Sequence, residues 1–136
     1  MISKGVKSIF PIKNQEIWDR YKQHIQAFWT TEEVSLQDDL RDLETLNEGE
    51  KHFIKHVLAY FANSEAMINE NLASRFYKEI LIPEARCFIS MQMLNESIHA
   101  EMYGLQIEAY VKDSKEKEML FDAIKNVACI NHKAQW

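Results

Sequence analysis

The chain has 136 residues, a formal net charge of -5 at pH 7, and only three Gly and two Pro. A chain of this length is expected to form one domain that buries about two thirds of the surface its unfolded form exposes. The scarcity of Gly and Pro, together with many Leu, Ile, Ala, Glu, Lys and Met residues, favours long helices over sheets. We therefore expect an all-α fold. Because Lys and Arg are scattered among acids, the composition argues against a nucleic-acid partner.

The sequence also argues against a membrane partner. Uncharged runs such as Cys87 to Asn95 are far shorter than the 18 or more apolar residues that span a bilayer. The first residues lack the apolar core of a signal peptide. Cys87 and Cys129 belong to no C-x-x-C motif, so we expect both thiols to be structural. These features predict a cytoplasmic protein in a reducing compartment.

The first third of the chain reads as an arm followed by two short helices. Residues 1 to 13 are expected to be extended, because Pro11 disfavours helix at the residue before it. Asn14 is expected to cap a first helix that runs to about Phe28. Between Trp29 and Leu46, two capping patterns predict a turn and then a short acidic helix.

One long helix is predicted from Asn47 to Leu81, a segment without Pro. The pattern Thr45-Leu46-Asn47-Glu48 reads as a capping box at its start. The apolar stripe of this helix contains one charged residue, Glu65, where the periodicity calls for an apolar side chain. The other members of the stripe are Ile54, Val57, Leu58, Phe61, Ile68, Leu72 and Phe76. Because a charged side chain is rarely buried without a partner, Glu65 is a candidate ligand.

Two histidines on the same helix resemble a metal motif, because Glu48, His52 and His56 are spaced four apart and share a face. On a helical wheel, however, His52 and His56 project roughly 140° to 180° away from Glu65. We therefore expect both imidazoles to face solvent rather than the acid.

A second long helix is predicted from Glu84 to Asp113, after Pro83. At about 100° per residue, Glu96 and Tyr103 lie nearly in line and His99 lies one turn up, all in apolar surroundings. A solvated Glu/His pair and a core histidine bonded to a carbonyl are the two simpler interpretations. The short link before Pro83 makes the two long helices antiparallel neighbours. Acids on both inner faces favour half of a carboxylate-bridged dimetal site.

The Glu96 helix is apolar almost all round, since a second apolar stripe lies opposite the candidate ligands. This stripe consists of Met91, Leu94, Ile98, Met102 and Leu105. A helix covered on both sides predicts a homodimer packed partly through it. After a polar connector, a last helix is predicted from Lys115 to Asn131.

The strings FPIKNQEIWDRY, FWTTEEV, NENLASRF, PEARCFISMQMLNESIHAEMY and YVKDSKEKEMLFDAI together resemble the small, radical-generating subunit of class I ribonucleotide reductase, in its N-terminal half. The resemblance implies a ferritin-like, all-helical homodimer. It also implies a dinuclear metal centre that reacts with O2 and oxidises a neighbouring tyrosine to a stable radical. A large catalytic subunit then uses this radical to reduce ribonucleotides to deoxyribonucleotides.

The resemblance assigns a role to five residues. It implies that Glu96 bridges the metals, that His99 binds one of them, and that Tyr103 holds the radical. Glu65 falls at the first carboxylate ligand of the family. Trp29 matches the tryptophan that relays an electron to the metals and lies on the route to the large subunit. The residues alone would make Tyr103 and Trp29 core aromatics.

The chain departs from the family in two ways. Most relatives carry Asp at the position of Glu65, and Glu is typical of a manganese/iron subgroup that usually lacks the radical tyrosine. Because Tyr103 is present in this chain, Fe/Fe is our first choice, with Mn/Fe and Mn/Mn as alternatives. The chain also ends at Trp136, whereas the family continues with a second Glu-x-x-His motif and another carboxylate. We expect a fragment, a split protein completed by a companion chain, or two copies that pool their ligands.

Two functions from other classes stay open. The same ligands without a radical store would make a ferritin-like protein that oxidises or binds iron or manganese. The chain could also be a non-catalytic helical module that assembles with a partner, in which case the acids have no role in catalysis.

Overall fold

The computed structural model describes residues 8 to 135, and these residues contain helices and connecting segments but no strand. The all-α prediction is confirmed. The α-helices in chain order are α1 (Gln15–Gln26), α2 (Gln37–Thr45), α3 (Glu48–Asn71), α4 (Tyr77–Glu79), α5 (Pro83–Tyr110), α6 (Ser114–Phe121), α7 (Ala123–Asn126) and α8 (Ala128–Ala134). A 3-10 turn (Thr31–Glu33) precedes α2, and a π-helical segment (Leu72–Phe76) joins α3 to α4.

The two long helices α3 and α5 form the centre of the fold, and the remaining helices pack around them. They are antiparallel, as predicted: Leu58 and Ile107 share the core at one end, while Asn69 donates a hydrogen bond to Ser97 towards the other. The main core lies where α3 and α5 meet α6, α7 and α8. It consists of Leu58, Ala59, Ile107, Val111, Leu120, Ala123 and Ile130. The hairpin thus places the faces of Glu65 and Glu96 against each other.

Helix α1 begins at Gln15, as expected, but Asn14 makes no side-chain cap for it. The Asn14 amide instead donates to Glu84 Oε2 at 3.1 Å, and the backbone N–H groups of Lys13 and Asn14 donate to Glu84 Oε1 at 2.7 and 3.2 Å. Asn14 therefore occupies the predicted N-cap position, but the side-chain cap that the sequence indicated is absent. A carboxylate at the start of α5 holds the chain at the entry to α1.

The start of α3 also differs from the predicted cap. Asn47 Oδ1 accepts the Glu50 N–H at 3.0 Å, and Glu50 Oε2 accepts the Asn47 N–H at 2.9 Å. The capping box is therefore Asn47 with Glu50, two residues later than the Thr45 pattern that the sequence indicated. Helical structure then continues through the π-helical segment to Glu79, close to the predicted end at Leu81.

The predicted helix from Lys115 to Asn131 is wrong, because three short helices occupy this region. The chain leaves helical geometry at Asp122 (φ -108°, ψ 33°) and at Val127 (φ -116°, ψ 109°). Side-chain amides compensate at these breaks: Asn63 donates to the Leu120 carbonyl at 3.2 Å, and Asn131 donates to the Ile124 carbonyl at 2.8 Å. These contacts satisfy carbonyls near the breaks that a continuous helix would bond internally.

Several side chains predicted to be inward-facing are exposed. In the predicted stripe of α3, Leu58 and Leu72 are buried, but Phe61, Ile68 and Phe76 are 40%, 39% and 54% exposed. On the second stripe of α5, three side chains are buried and two, Leu94 and Leu105, are exposed. The helix is thus covered on one side and partly open on the other. The homodimer stays a prediction.

Residues 8 to 13 contain no helix, and the rest of the predicted extended arm lies outside the described residues. Within residues 8 to 135, no helix combines the length and the apolarity needed to cross a membrane.

Both cysteines are free. Cys87 is half-buried, but Cys129 is exposed, so a structural role for the Cys129 thiol is wrong.

Candidate metal centre

The structure brings together the three residues that the sequence singled out as metal ligands. Glu65 on α3 and Glu96 and His99 on α5 each offer a ligand atom within 4.8 Å of the others. Glu65 is buried, the Glu96 side chain is 15% exposed, and the His99 side chain is 38% exposed. Because α3 and α5 are antiparallel and packed along their length, the cluster lies inside the hairpin and opens on the side of His99.

Glu96 and His99 also contact each other. The Nδ1 atom of His99 lies 3.1 Å from Glu96 Oε2, so the i,i+3 spacing produces a hydrogen-bonded pair. The simpler interpretation of a solvated pair does not fit, since Glu96 is mostly buried. The carbonyl-bonded core histidine does not fit either, because this ring nitrogen has a carboxylate as its partner.

Glu65 is an incompletely satisfied buried carboxylate. Its Oε2 atom is buried and has no hydrogen-bond partner among the described residues. Burial, followed by the hydrogen bond and the negative charge of Glu96, raises the pKa of Glu65 to about 7. An unpaired buried oxygen and two adjacent acids are unfavourable without a positive partner. A cation between them would supply one.

A second buried oxygen without a partner among the described residues lies one turn further along α3. It is Oδ1 of Asn69, whose amide nitrogen donates to Ser97 Oγ at 3.2 Å. Ser97 is the neighbour of Glu96 in the chain. The inner face of α3 therefore presents two unsatisfied acceptor oxygens at the level of the cluster, in keeping with a site that attracts a cation or a hydrogen-bond donor.

Tyr103 lies near the acids without belonging to the cluster. Its half-buried ring stacks on Phe61 of α3, with centroids 5.4 Å apart and an interplanar angle of 18°. Burial raises the pKa of the Tyr103 phenol, and the negative charges of Glu65 and Glu96 raise it further. The phenol is therefore protonated at neutral pH, and it lies close enough to Glu65 and Glu96 to interact with their charges.

Trp29 reaches the cluster from the other side. Its indole is half-buried and stacks on the His99 ring, with centroids 6.1 Å apart and an interplanar angle of 29°. A hydrogen bond of 3.1 Å from Thr31 Oγ1 to Glu101 Oε1 ties the turn after Trp29 to α5. Trp29, His99 and the acids thus form a continuous path from the surface of the hairpin to its interior.

Sequence reasoning missed two residues of this arrangement, Thr31 and Phe61, and one elsewhere in the fold, Glu84. Thr31 is buried and ties down the Trp29 segment, although its pattern indicated only a helix start. Phe61 was assigned to the core, whereas it forms one wall of the Tyr103 environment. Glu84 was assigned no role and holds the entry to α1. The one available signal was a charged residue directly after a Pro that starts a helix.

The donor set fits a hard cation. Two carboxylates and one imidazole, close together and largely shielded from water, are ligands that iron and manganese accept. The described residues supply three ligands, fewer than a dinuclear centre of this kind requires. These three residues would therefore account for only part of such a site.

Comparisons with known proteins assign the family. Residues 6 to 136 match the family model for the ribonucleotide reductase small chain. The chain belongs to this family. The small chain from Yaba-like disease virus is 52% identical over 128 residues, and a small chain from Arabidopsis thaliana is 49% identical over 129 residues. Both matches confirm the resemblance that the sequence motifs indicated.

Solved structures agree with the helical architecture. The chain superimposes on the ribonucleotide reductase homodimer from Saccharomyces cerevisiae with a TM-score of 0.80 at 33% identity, covering 93% of this chain and 40% of that one. The R2 subunit from Clostridium botulinum gives a TM-score of 0.83 at 20% identity over 96% of this chain and 41% of that one. The small-chain fold is ferritin-like, as expected.

The match is to part of each relative. The alignment covers 94% of this chain but only 39% of the viral small chain, and 95% of this chain but 38% of the plant one. The chain thus spans about two fifths of the length of these relatives. The family implies a dinuclear metal centre, and Glu65, Glu96 and His99 form an acidic and imidazole cluster suited to such a centre.

Proposed function

We propose that the chain is part of the small subunit of a ribonucleoside-diphosphate reductase and supplies its share of a dinuclear metal centre. The observation that carries this proposal is the convergence of Glu65, Glu96 and His99 within 4.8 Å between two packed helices. The reductase as a whole converts ribonucleotides to deoxyribonucleotides, and this chain would contribute to generating the radical that the large subunit needs.

Each ligand has a position suited to its role. Glu96 interacts with both of the other proposed ligands, since it shares a hydrogen bond with the His99 imidazole and raises the pKa of Glu65. This placement suits a bridging carboxylate. His99 would bind one metal after giving up its hydrogen bond to Glu96. Glu65, with its unpaired buried Oε2, would supply a further carboxylate ligand.

We propose Tyr103 as the radical store. A bound centre would supply an oxidant derived from O2, and the Tyr103 phenol would give that oxidant one electron and one proton. Phe61 covers one face of the ring, and α5 holds the ring close to the acids. Apolar cover keeps water away from an oxidised phenol and so prolongs its lifetime.

We propose Trp29 as the route for electrons between the centre and the protein surface. Its stacking on His99 places an oxidisable indole against a ligand. The large subunit would dock so that electrons pass through this side of the hairpin. Because Thr31 and Glu101 hold the Trp29 segment to α5, the contact is kept in the absence of that partner.

The metal would be iron in both positions, with Mn/Fe and Mn/Mn as alternatives. Carboxylate oxygen and imidazole nitrogen donors serve all three pairs. The presence of Tyr103 beside the acids favours a centre that transfers its oxidising equivalent to a tyrosine.

The remaining ligands would come from outside the described residues: from the rest of a longer polypeptide, from a companion chain, or from a second copy. Exposed apolar side chains on the hairpin, including Phe61, Ile68 and Phe76, offer such a segment a surface to cover. We keep the homodimer as part of the proposal, and we propose the cytoplasm as its location because both thiols are free.

Radical formation tests the proposal. The chain, in the assembly with which it purifies, is loaded with Fe(II), exposed to O2 and examined by electron paramagnetic resonance. We expect a tyrosyl signal that Tyr103→Phe removes. Tyr110→Phe is the matched control. Tyr110 lies seven residues further along α5, and its hydroxyl donates to Asp39 rather than lying beside Glu65 and Glu96.

Two results would contradict the radical assignment. One is a tyrosyl signal that persists in Tyr103→Phe. The other is repeated turnover of Fe(II) oxidation without any radical, which would favour a ferritin-like metal-handling protein. Unchanged metal content in Glu96→Ala would instead favour the non-catalytic assembly module.

A further inference from the structure

A second group of potential metal ligands lies near the start of α3, outside the acidic cluster. His52 and His56 are four residues apart, so their side chains share a helix face. Their rings are in contact, with centroids 3.9 Å apart and an interplanar angle of 34°. His52 is exposed and His56 is half-buried, so the pair is open to solvent.

The hydrogen bond of His56 leaves one ring nitrogen with a lone pair that can bind a metal ion. Its Nδ1 lies 2.8 Å from the backbone carbonyl oxygen of His52. Because a carbonyl oxygen can only accept, the Nδ1 atom carries the proton and the Nε2 lone pair is free in the neutral ring. Metal-binding histidines typically use one ring nitrogen in this way and ligate with the other.

The positive charges nearest in sequence are engaged by acids. Lys51 Nζ lies 3.2 Å from Glu48 Oε1, and Lys55 Nζ lies 2.9 Å from both carboxylate oxygens of Glu116. Because each ammonium group is paired with a carboxylate, neither is free to compete with a metal ion for the two histidine rings. Glu48, whose side chain is 91% exposed, lies one turn before His52 on the same face.

The geometry suits chelation of one ion by two nitrogens. Two Zn–N bonds of about 2.0–2.1 Å at a tetrahedral angle require nitrogen atoms roughly 3.3 Å apart. The ring centroids are 3.9 Å apart, closer than the roughly 5 Å between two imidazoles on one tetrahedral ion, so the exposed His52 side chain would turn away from His56 until both Nε2 atoms face the ion. Imidazole donors also favour Zn²⁺, Cu²⁺ or Ni²⁺, whereas the acidic cluster favours harder ions.

We propose that His52 and His56 form a surface site for a divalent ion of the zinc class, separate from the centre that contains Glu65. The ion bridges one turn of α3 through two Nε2 atoms, and water or a side chain of another protein fills its other positions. This site does not depend on the reductase function proposed above.

Zn²⁺ titration of the full chain by calorimetry tests the site. His52→Phe keeps an aromatic ring against His56 and removes one ligand. His132→Phe is the matched control, because His132 is another exposed helical histidine. We expect His52→Phe to weaken one class of Zn²⁺ binding by at least about tenfold, as the loss of a direct ligand should cost no less than the loss of an outer-shell partner. His132→Phe should bind as the wild type does, and Glu65→Gln should retain this class.

Histidine ring NMR of the unsubstituted chain provides a measurement that does not depend on a variant. Added Zn²⁺ should shift the His52 and His56 resonances and leave those of His132 unchanged. Equal Zn²⁺ binding by His52→Phe and His132→Phe would overturn the proposal. Shifts confined to His99 would overturn it as well, because the ion would then occupy only the acidic cluster.

Discussion

Two buried carboxylates, Glu84 at the start of α5 and Glu65 in the middle of α3, show how the surroundings decide what a buried charge does. Glu84 accepts from two backbone N–H groups and one amide, led by the Lys13 N–H, and these bonds lower its pKa to about 2. Glu65 has a buried oxygen with no partner among the described residues, and burial beside Glu96 raises its pKa to about 7. Depth of burial is nearly the same, at 1% and 5% exposure.

The two acids differ as a structural acid differs from a proposed ligand. A carboxylate surrounded by N–H donors is satisfied as an anion and gains little from a cation. A carboxylate that faces another acid and an imidazole lacks a positive partner, and a metal ion provides one. Glu84 therefore anchors the chain near α1, whereas Glu65 has the surroundings expected of the metal ligand that we propose.

Metal binding should show the largest difference between the two acids. Glu65→Gln removes a direct ligand, so we expect Mn²⁺ binding to weaken by at least about tenfold. Glu84→Gln, the matched control, should bind Mn²⁺ as the wild type does. Titration monitored by the electron paramagnetic resonance of free Mn²⁺ measures both. Equal affinity in the two variants would remove the distinction between the acids.

Stability of the metal-free chain should change in the opposite sense. At pH 8 the folded chain carries Glu65 as a poorly solvated anion, and Gln of the same shape can donate to Glu96 instead. We expect Glu65→Gln to raise the free energy of unfolding by about 1–3 kcal/mol. Chemical denaturation in the presence of a chelator measures this change. A loss of stability would indicate that the Glu65 carboxylate has a partner within the chain.

Acid should weaken the Glu84 anchor specifically. The folded pKa of about 2 lies below the ordinary value of 4.5, so ionised Glu84 stabilises the fold above pH 4.5. This contribution is lost as the pH falls from 4.5 towards 2. Unfolding curves at several pH values should therefore show a smaller decline in Glu84→Gln than in the wild type. Parallel declines would contradict the anchor.

The smallest expected effect concerns the contact between Trp29 and the cluster. Thr31→Val keeps the shape of the side chain but removes the hydrogen bond to Glu101. We expect a loss of about 0.5–1.5 kcal/mol in stability. Trp29 should also become more mobile, which time-resolved fluorescence anisotropy detects when Trp18 and Trp136 are replaced by Phe in both proteins. Unchanged anisotropy would show that Thr31 does not hold the indole.

The sequence predicted the features that arise from periodicity. Glu65 stood out because it interrupts an apolar stripe, and Glu96 with His99 stood out through i,i+3 spacing; the structure brings all three together. The short link before Pro83 likewise predicted the antiparallel hairpin. Trp29 and Tyr103 were identified only through the family resemblance, since aromatic side chains near a core carry no distinctive pattern.

Other features depend on contacts that are distant in sequence. Residues 115 to 131 have the pattern of one helix, yet the Asn63 amide bonds the Leu120 carbonyl near the first break. Asn14 has the residue type of a cap, but Glu84, 70 positions away, takes its amide. An apolar stripe also predicts a face without saying what covers it, which is why Phe76 was expected inside and is 54% exposed.

The most direct measurement is a crystal structure of the Mn²⁺-loaded protein with anomalous scattering data. We predict a peak within coordination distance of ligand atoms of Glu65, Glu96 and His99. A structure in which these side chains keep their positions and no anomalous peak lies between them, at Mn²⁺ concentrations that saturate binding in solution, would contradict the account.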